Sequence, residues 1–210
     1  MRFVAPLPEP VKVTLNELLK NKRDQAEFEQ AQQEIAVLHE REAKGELDVY
    51  YYDESGVSLT PTIPYGWQAS GETEEIPSSR SKRLNILGFY SRDNKFEATT
   101  IAGWVNSEMV IACFDRFCET IEKETIVIID NAPTHTSHAF KARLSAWADK
   151  GLIVKNLPTY SPELNIIEIL WRFIKYKWLP LSAYQNYKQL KQELQKVLDL
   201  IGSQYSISFA

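Results

Sequence analysis

The stretch TIVIIDNAPTHTSHAF, residues 125–140, carries the deciding pattern of this chain. Thr125 and four apolar residues, Ile126, Val127, Ile128 and Ile129, run without a break into Asp130. A β-branched run of this kind predicts a strand buried on both faces, as in the middle of a parallel sheet. A carboxylate at the carboxyl end of such a strand stands where open α/β sheets place ligands. Asn131, Pro133 and Thr134 then break the strand and open a turn. Asp130 is either a turn former or one corner of a metal site, and the rest of the chain decides between them.

Working outward, LDVYYYDES (47–55), PYGWQASGE (64–72) and KRLNILGFYSRD (82–93) read as three strands of an antiparallel meander joined by polar turns. From Ser107 to Lys123, Met109, Val110, Ile111, Phe114, Phe117 and Ile121 recur at helical spacing. After the buried strand come a helix over about 136–149, a strand at 152–158 and a helix starting at Pro162, with Ser161 as its N-cap. A last helix spans about 187–201. Three antiparallel strands followed by α-β-α-β-α is the order of a ribonuclease-H-like α/β fold, a mixed five-stranded sheet flanked by helices. Ahead of it, residues 15–43 lack Gly and Pro and carry Leu15, Leu18, Leu19, Phe28, Ala31, Ile35 and Leu38 as a narrow apolar stripe. The expected organisation is a helical arm over 1–46, a catalytic unit over 47–180 and a carboxyl-terminal helix over 181–210.

The net charge of −4 argues against a bulk cationic nucleic-acid coat but leaves room for a local basic groove. The two cysteines, Cys113 and Cys118, form neither a CxxC pair nor a metal spacing, so a reduced, cytoplasmic chain is expected. No apolar run reaches the roughly 18 residues of a membrane span, and the start MRFVAPLPEP lacks a signal-peptide pattern.

Asp53 ends the first strand, Asp130 ends the buried strand, and Glu168 lies on the helix after the last strand. In a ribonuclease-H-like topology the first two strands are adjacent and parallel, so the three carboxylates can converge. Crowded acidic oxygens suit Mg²⁺ or Mn²⁺, which bind through one or two carboxylates plus phosphate oxygens. Two such ions about 4 Å apart activate a water or a 3′-hydroxyl and stabilise the leaving oxygen of a phosphodiester. Taken singly, each residue has a plainer reading: Asp53 as a turn residue, Asp130 as a turn former, Glu168 as a solvated partner of Arg172 at i+4. Glu54 falls on the opposite strand face from Asp53, and Glu163 is a first-turn residue favoured by the helix dipole.

YYYDESG (50–56), VIIDNAPTH (127–135) and LPTYSPELNIIEILWRFIK (157–175) closely resemble the three catalytic blocks of the DDE transposases of bacterial insertion sequences and mariner-like elements. Tyr160, Ser161, Pro162, Leu164, Asn165, Glu168 and Trp171 match together in the third block, and GWQASGE is similar to the family's second-strand segment. Thirty-seven residues separate Asp130 from Glu168, within the family's habit. Ile166 departs from the pattern, since many relatives have Pro there.

The resemblance implies that Asp53, Asp130 and Glu168 hold two metal ions, Mg²⁺ or Mn²⁺, for DNA cleavage and strand transfer. It implies DNA partners, both element ends and target, and a chain that is nucleoid-associated when bound to them. Family members also carry helix-turn-helix modules, for which the forty-odd residues ahead of Asp53 leave no room. A helix-turn-helix polypeptide, a full-length transposase or a second copy are therefore expected as further partners.

Asn131 and Asn165 are expected to brace the metal site. His135 either contacts a phosphate or orients a carboxylate, or else caps the next helix. Arg80, Lys82, Arg83, Arg172, Lys175 and Lys177 are candidate phosphate contacts. Trp67, Trp104 and Trp171 are expected in the core, and His39 and His138 on the surface. Two rival functions remain at this point: a non-catalytic protein docking on intact transposase through the 15–43 stripe, and a stand-alone nuclease of the same fold.

Overall fold

The computed structural model describes residues 22–60 and 83–209. Helix α1 (Gln25–Ala43) is followed by β1 (Asp48–Val57), β2 (Leu84–Tyr90) and β3 (Phe96–Ala102). Then come α2 (Ser107–Cys118), β4 (Thr125–Ile129), the short helices α3 (Pro133–Thr136), α4 (His138–Lys141) and α5 (Leu144–Ala148), and β5 (Leu152–Asn156). A 3-10 turn at Pro162–Leu164 precedes α6 (Ile167–Phe173), a π-helical turn (Ile174–Trp178), a second 3-10 turn (Leu181–Gln185) and α7 (Tyr187–Asp199). The five strands form one sheet in the order β3-β2-β1-β4-β5. β1 pairs antiparallel with β2 and parallel with β4, and β4 pairs parallel with β5.

Residues alternate between the two sheet faces. Val49 and Tyr51 of β1 join Ile86, Ile128, Leu170, Trp171, Leu190 and Leu194 in the core beneath α1, α6 and α7. Tyr50 and Tyr52 join Phe89, Phe114, Phe117 and Trp147 in an aromatic core on the other face. There the Trp147 indole and the Arg143 guanidinium both donate to Asp115 at 2.7 Å, tying α5 to α2. All five residues of β4 are buried, as expected of a central strand covered on both faces.

Several sequence expectations are corrected. The meander exists, but its last strand is β3, which the sequence reading passed over; the segment at 64–72 lies outside the described residues. β3 is an edge strand whose residues are only partly buried, so no apolar alternation marked it. Helix α2 stops at Cys118 rather than Lys123, because the Thr120 hydroxyl donates to the Phe117 carbonyl at 2.9 Å and competes with further winding. The helix expected at 136–149 is three pieces: Ser137 is extended, and its hydroxyl accepts the Phe140 N–H, restarting the helix. Of the 15–43 helix, residues 15–21 lie outside the described residues. Asp24 caps its visible start by accepting from Ala26 and Glu27. The stripe residues Ala31 and Ile35 are buried, and Leu38 packs against the same core, so this apolar face rests on the chain's own sheet. His39 is half-buried, hydrogen-bonded to the Tyr51 hydroxyl at 2.9 Å, whereas His138 is exposed as expected.

One glycine makes the site possible. Gly88 lies across from Asp53 in the β1–β2 ladder. A Cβ there would meet the Trp171 ring and the Phe96 ring, each at 2.9 Å. Gly88→Ala should therefore destabilise the protein by about 1–3 kcal/mol, the usual cost of overpacking. Urea unfolding midpoints measure this, and an unchanged midpoint would show that Trp171 can give way freely.

Candidate active site

The Asp53 side of the site is built by packing. Asn165 is buried and donates to the Tyr52 carbonyl at 3.2 Å, pinning the approach to α6 onto β1 one residue before Asp53. This bond explains why no single helix runs from Pro162: Asn165 is extended, and the helix starts only after it. Ser161 makes no side-chain cap. Glu168 thus falls in the first turn of α6, rather than two turns into a helix starting at Pro162 as its sequence position predicts. Three residues on, the Trp171 indole reaches over Gly88 and donates to Asp53 Oδ2 at 3.0 Å. Trp171 is a core residue, as its sequence implied, and it also aims a carboxylate.

Burial pushes the Asp53 carboxyl well above the usual range, helped by the neighbouring charges of Glu168, Glu54 and Asp130. Glu168 is raised by burial and by Asp130, against the pull of Lys175 and Arg172. The three acids therefore feel one another across the carboxyl edge of the sheet. Lys175, two helical turns beyond Glu168, is lowered by burial and by the nearby Arg83 guanidinium, while Glu168 and Asp53 favour its charge.

Asp130 is held differently. Its Oδ1 accepts from the Ala132 N–H at 3.0 Å and contacts His135 Nδ1 at 2.8 Å. His135 is fully buried, and its Nε2 lies 3.2 Å from Glu54 Oε1. Burial alone would lower the imidazole, but hydrogen bonds to Asp130 and Glu54 raise it to about 10. Burial alone would likewise raise Asp130, but its bonds to His135 and the Ala132 N–H hold it below the ordinary range. His135 therefore orients a carboxylate, the second of the readings open at the sequence level, and its N–H groups tie the two carboxylates together. Glu54 does face away from Asp53, and its task on that face is the partner of His135. Strand alternation places Glu54 away from Asp53 but does not name this partner; the signal in the sequence is His135, five residues after Asp130.

Asn131 braces the loop rather than a carboxylate. Its amide donates to the Leu157 carbonyl and accepts from Asn156 at 3.1 Å, joining the ends of β4 and β5. A cavity of about 410 Å³ opens between Asp130, Asn131, Asn165 and Glu168, roofed by the 157–162 loop, where Tyr160 has a left-handed φ of 59°. Of the candidate phosphate contacts, Arg83 and Lys175 approach the site. Arg172 lies exposed one turn past Glu168, and Lys177 is turned to the Phe173 ring at 4.6 Å from its centroid. Arg80 and Lys82 lie outside the described residues, as does Trp67. Trp104, expected in the core, is 94% exposed.

Among the described residues, no three His, Cys, Asp or Glu side chains stand close enough together to hold a metal ion. The reason is local: Asp53 is drawn to Trp171 and Asp130 to His135. The donor chemistry fits a hard divalent cation, since the converging groups are carboxylates whose mutual repulsion such a charge relieves. Turning both side chains toward the shared edge is the step that would complete the site.

The histidine makes a checkable contribution. Its folded value, about 10, exceeds its unfolded value near 6.5, so its stabilisation is complete below about pH 6.5 and fades toward pH 10. Without divalent ions, His135→Gln should lower the unfolding free energy most at pH 5–6.5, with the gap to wild type closing by about pH 10. Denaturant titrations across that range would read a pH-independent gap if the ion pairs carried nothing.

The family described as DDE superfamily endonuclease matches residues 48–191. The chain is 25% identical over 145 residues to the insertion element IS630 uncharacterized 39 kDa protein of Shigella sonnei, covering 67% of this chain and 42% of that protein. Among solved structures, it resembles the Mos1 transposase paired-end complex with left transposon end at a TM-score of 0.53 and 16% identity, covering 95% of this chain and 60% of that one. The mariner Mos1 paired-end complex with Mg gives a TM-score of 0.51 at 16% identity, covering 93% and 58%. The chain thus spans less than two thirds of each of these relatives, and the structural likeness establishes the ribonuclease-H-like fold. With more than half its length inside the matched region, this chain belongs to the DDE superfamily endonuclease family.

Proposed function

We propose that this chain is the catalytic domain of an insertion-sequence transposase, cutting a phosphodiester at the element's end and joining the 3′-hydroxyl to target DNA. The observation that carries the reading is that Asp53, Asp130 and Glu168 share one sheet edge, where Glu168 and Asp130 raise the Asp53 carboxyl and Asp130 raises that of Glu168. Support comes from the family match and from relatives described as an insertion-element protein and as transposase complexes with transposon ends and with Mg.

Asp53, Asp130 and Glu168 would hold two divalent ions, Mg²⁺ or Mn²⁺. When bound, such ions supply a stronger nucleophile and charge stabilisation at the leaving oxygen. The residues of the chain do the rest. Trp171 and His135 position two of the carboxylates. Asn165 fixes the distance from α6 to β1. Lys175 and Arg83 face the site as phosphate contacts, with Arg172 on the same helix. None of these offers a covalent nucleophile, which agrees with direct displacement at phosphorus by water or a hydroxyl. DNA ends, target DNA and a second copy or a transposase partner follow as partners of this activity.

Asp130→Asn should abolish Mg²⁺-dependent nicking of element-end DNA, a loss of at least a hundredfold, while leaving the fold intact by circular dichroism. Lys175→Ala should weaken DNA binding and flatten its salt dependence by about one phosphate contact. Nicking by the Asp130 variant at the wild-type rate would sink the assignment.

A further inference from the structure

Trp104 is the most exposed large hydrophobic side chain among the described residues, at 94%. A loose loop would explain this trivially, but its backbone is anchored on both sides. The Gly103 N–H donates to the Arg83 carbonyl at 2.9 Å, and the Gly103 carbonyl accepts from the Asn85 side chain. Val105 packs partly into the aromatic core, and Asn106 caps α2 by accepting from the Met109 N–H at 2.9 Å. The indole is thus held out into solvent by ordered neighbours.

A cavity of about 430 Å³ opens beside it, with Glu54, Arg83, Asn85 and Thr134 in its wall. Arg83 lies flat over Gly56, where a Cβ would come within 2.0 Å of its Nε, and that nitrogen donates to Asn85 at 2.9 Å. Among the described residues, no carboxylate forms an ion pair with this guanidinium. The cavity joins the active site twice: Glu54 is the carboxylate bound to His135, and Arg83 is near enough to Lys175 to depress its ionisation.

The spacing suits a nucleic-acid strand. Asp53 is level with Gly88 and Ala98, and Val57 is level with Leu84 and Ala102, two residues before Trp104. Four residues along the strands and two strands across separate Asp53 from Ala102 by about 17 Å. That is about five nucleotides at the duplex rise of 3.4 Å per step. An indole face with a cation and an amide close by provides for a base, its backbone phosphate and its polar edge. Within a duplex both faces of a base are already stacked, so the fitting occupant is an unpaired base.

We propose that Trp104 and the Arg83-lined cavity form a stacking site for an unpaired base of the DNA strand engaged at the triad. The proposal rests on the transposase reading above and adds to it a preference for locally opened DNA. It names one occupant; a second copy of this chain covering the indole is the competing outcome.

The test uses the full chain in EDTA, so that no cleavage intervenes, and two labelled DNAs of one sequence, fully paired or with a short mismatched bubble. By the usual worth of a base–aromatic stack, Trp104→Ala should weaken bubble binding about tenfold or more and leave duplex binding unchanged. Trp104→Phe should keep most of the affinity, and 2-aminopurine in the bubble should be quenched by wild type but not by the alanine variant. Both variants should melt like wild type, because the side chain packs on little. Equal affinity for both DNAs in every variant, an equal loss on both, or a change in mass by light scattering in Trp104→Ala overturns the stacking site. Wild-type nicking that Asp130→Asn abolishes, beside a Trp104→Ala variant unaffected on the bubble, would overturn this proposal alone. A wild-type chain that neither nicks nor binds DNA would overturn the transposase reading, and this proposal with it.

Discussion

The site depends first on the parallel pairing of β1 with β4. Tyr51 is level with Ile128, so Asp53 and Asp130 each lie two residues further toward the carboxyl edge. Because side chains alternate with a period of two, a slip of one residue would send one acid to the opposite face. That register is enforced from both sides, since Tyr51 and Ile128 enter one core while Tyr50, Tyr52 and Val127 enter the other. Two carboxylates 77 positions apart in sequence are thereby placed side by side by apolar burial alone.

Placing acids together raises an electrostatic difficulty that the surrounding residues manage unequally. Asp53, beneath α6, accepts from two neutral donors, the Trp171 indole and the Glu54 N–H, and its carboxyl group is still pushed well up by burial and its acidic neighbours. Asp130 has a buried imidazole and a backbone N–H, and it stays ionised at lower pH than usual. Two chemically similar groups on neighbouring strands thus shift in opposite directions, because one is buried among acids and the other is bonded to a histidine. The two strand-end acids are tethered to different elements, Asp53 to α6 and Asp130 to α3, which draws them away from a common centre.

The candidate acids could be picked out in the sequence because each ends or lies in a strongly patterned element: the β-branched run before Asp130, the tyrosine-rich strand of Asp53, the apolar helix of Glu168. The topology followed from element order. What stayed hidden was set by contacts between distant residues. Glu54 gained its partner from 81 positions away, and Trp171 its acceptor from 118. β3 escaped because an edge strand such as FEATTIA buries neither face fully and shows no clean alternation. The interrupted start of α6 was hidden because Asn165 looks like an ordinary helix-start residue until its amide is seen on the β1 backbone. Trp104 was misplaced because hydrophobicity predicts burial only on average.

The third-block helix also arranges the positive side of the site. Glu168, Trp171, Arg172 and Lys175 recur at intervals of three, four and seven, so they share one helical face. Lys175 falls where α6 gives way to the π-helical turn of Ile174–Trp178. A π turn is wider than an α turn and tends to occur where function requires an unusual presentation. Its two cations, two residues apart, lie on different sides: Lys175 is near Glu168 and Asp53, while Lys177 turns to Phe173. At the end of this turn the Trp178 ring stacks on Tyr205, 4.7 Å away between centroids. That aromatic contact ties the end of the π turn to the carboxyl-terminal segment, so the stretch that carries Lys175 is anchored at α6 on one side and at Tyr205 on the other.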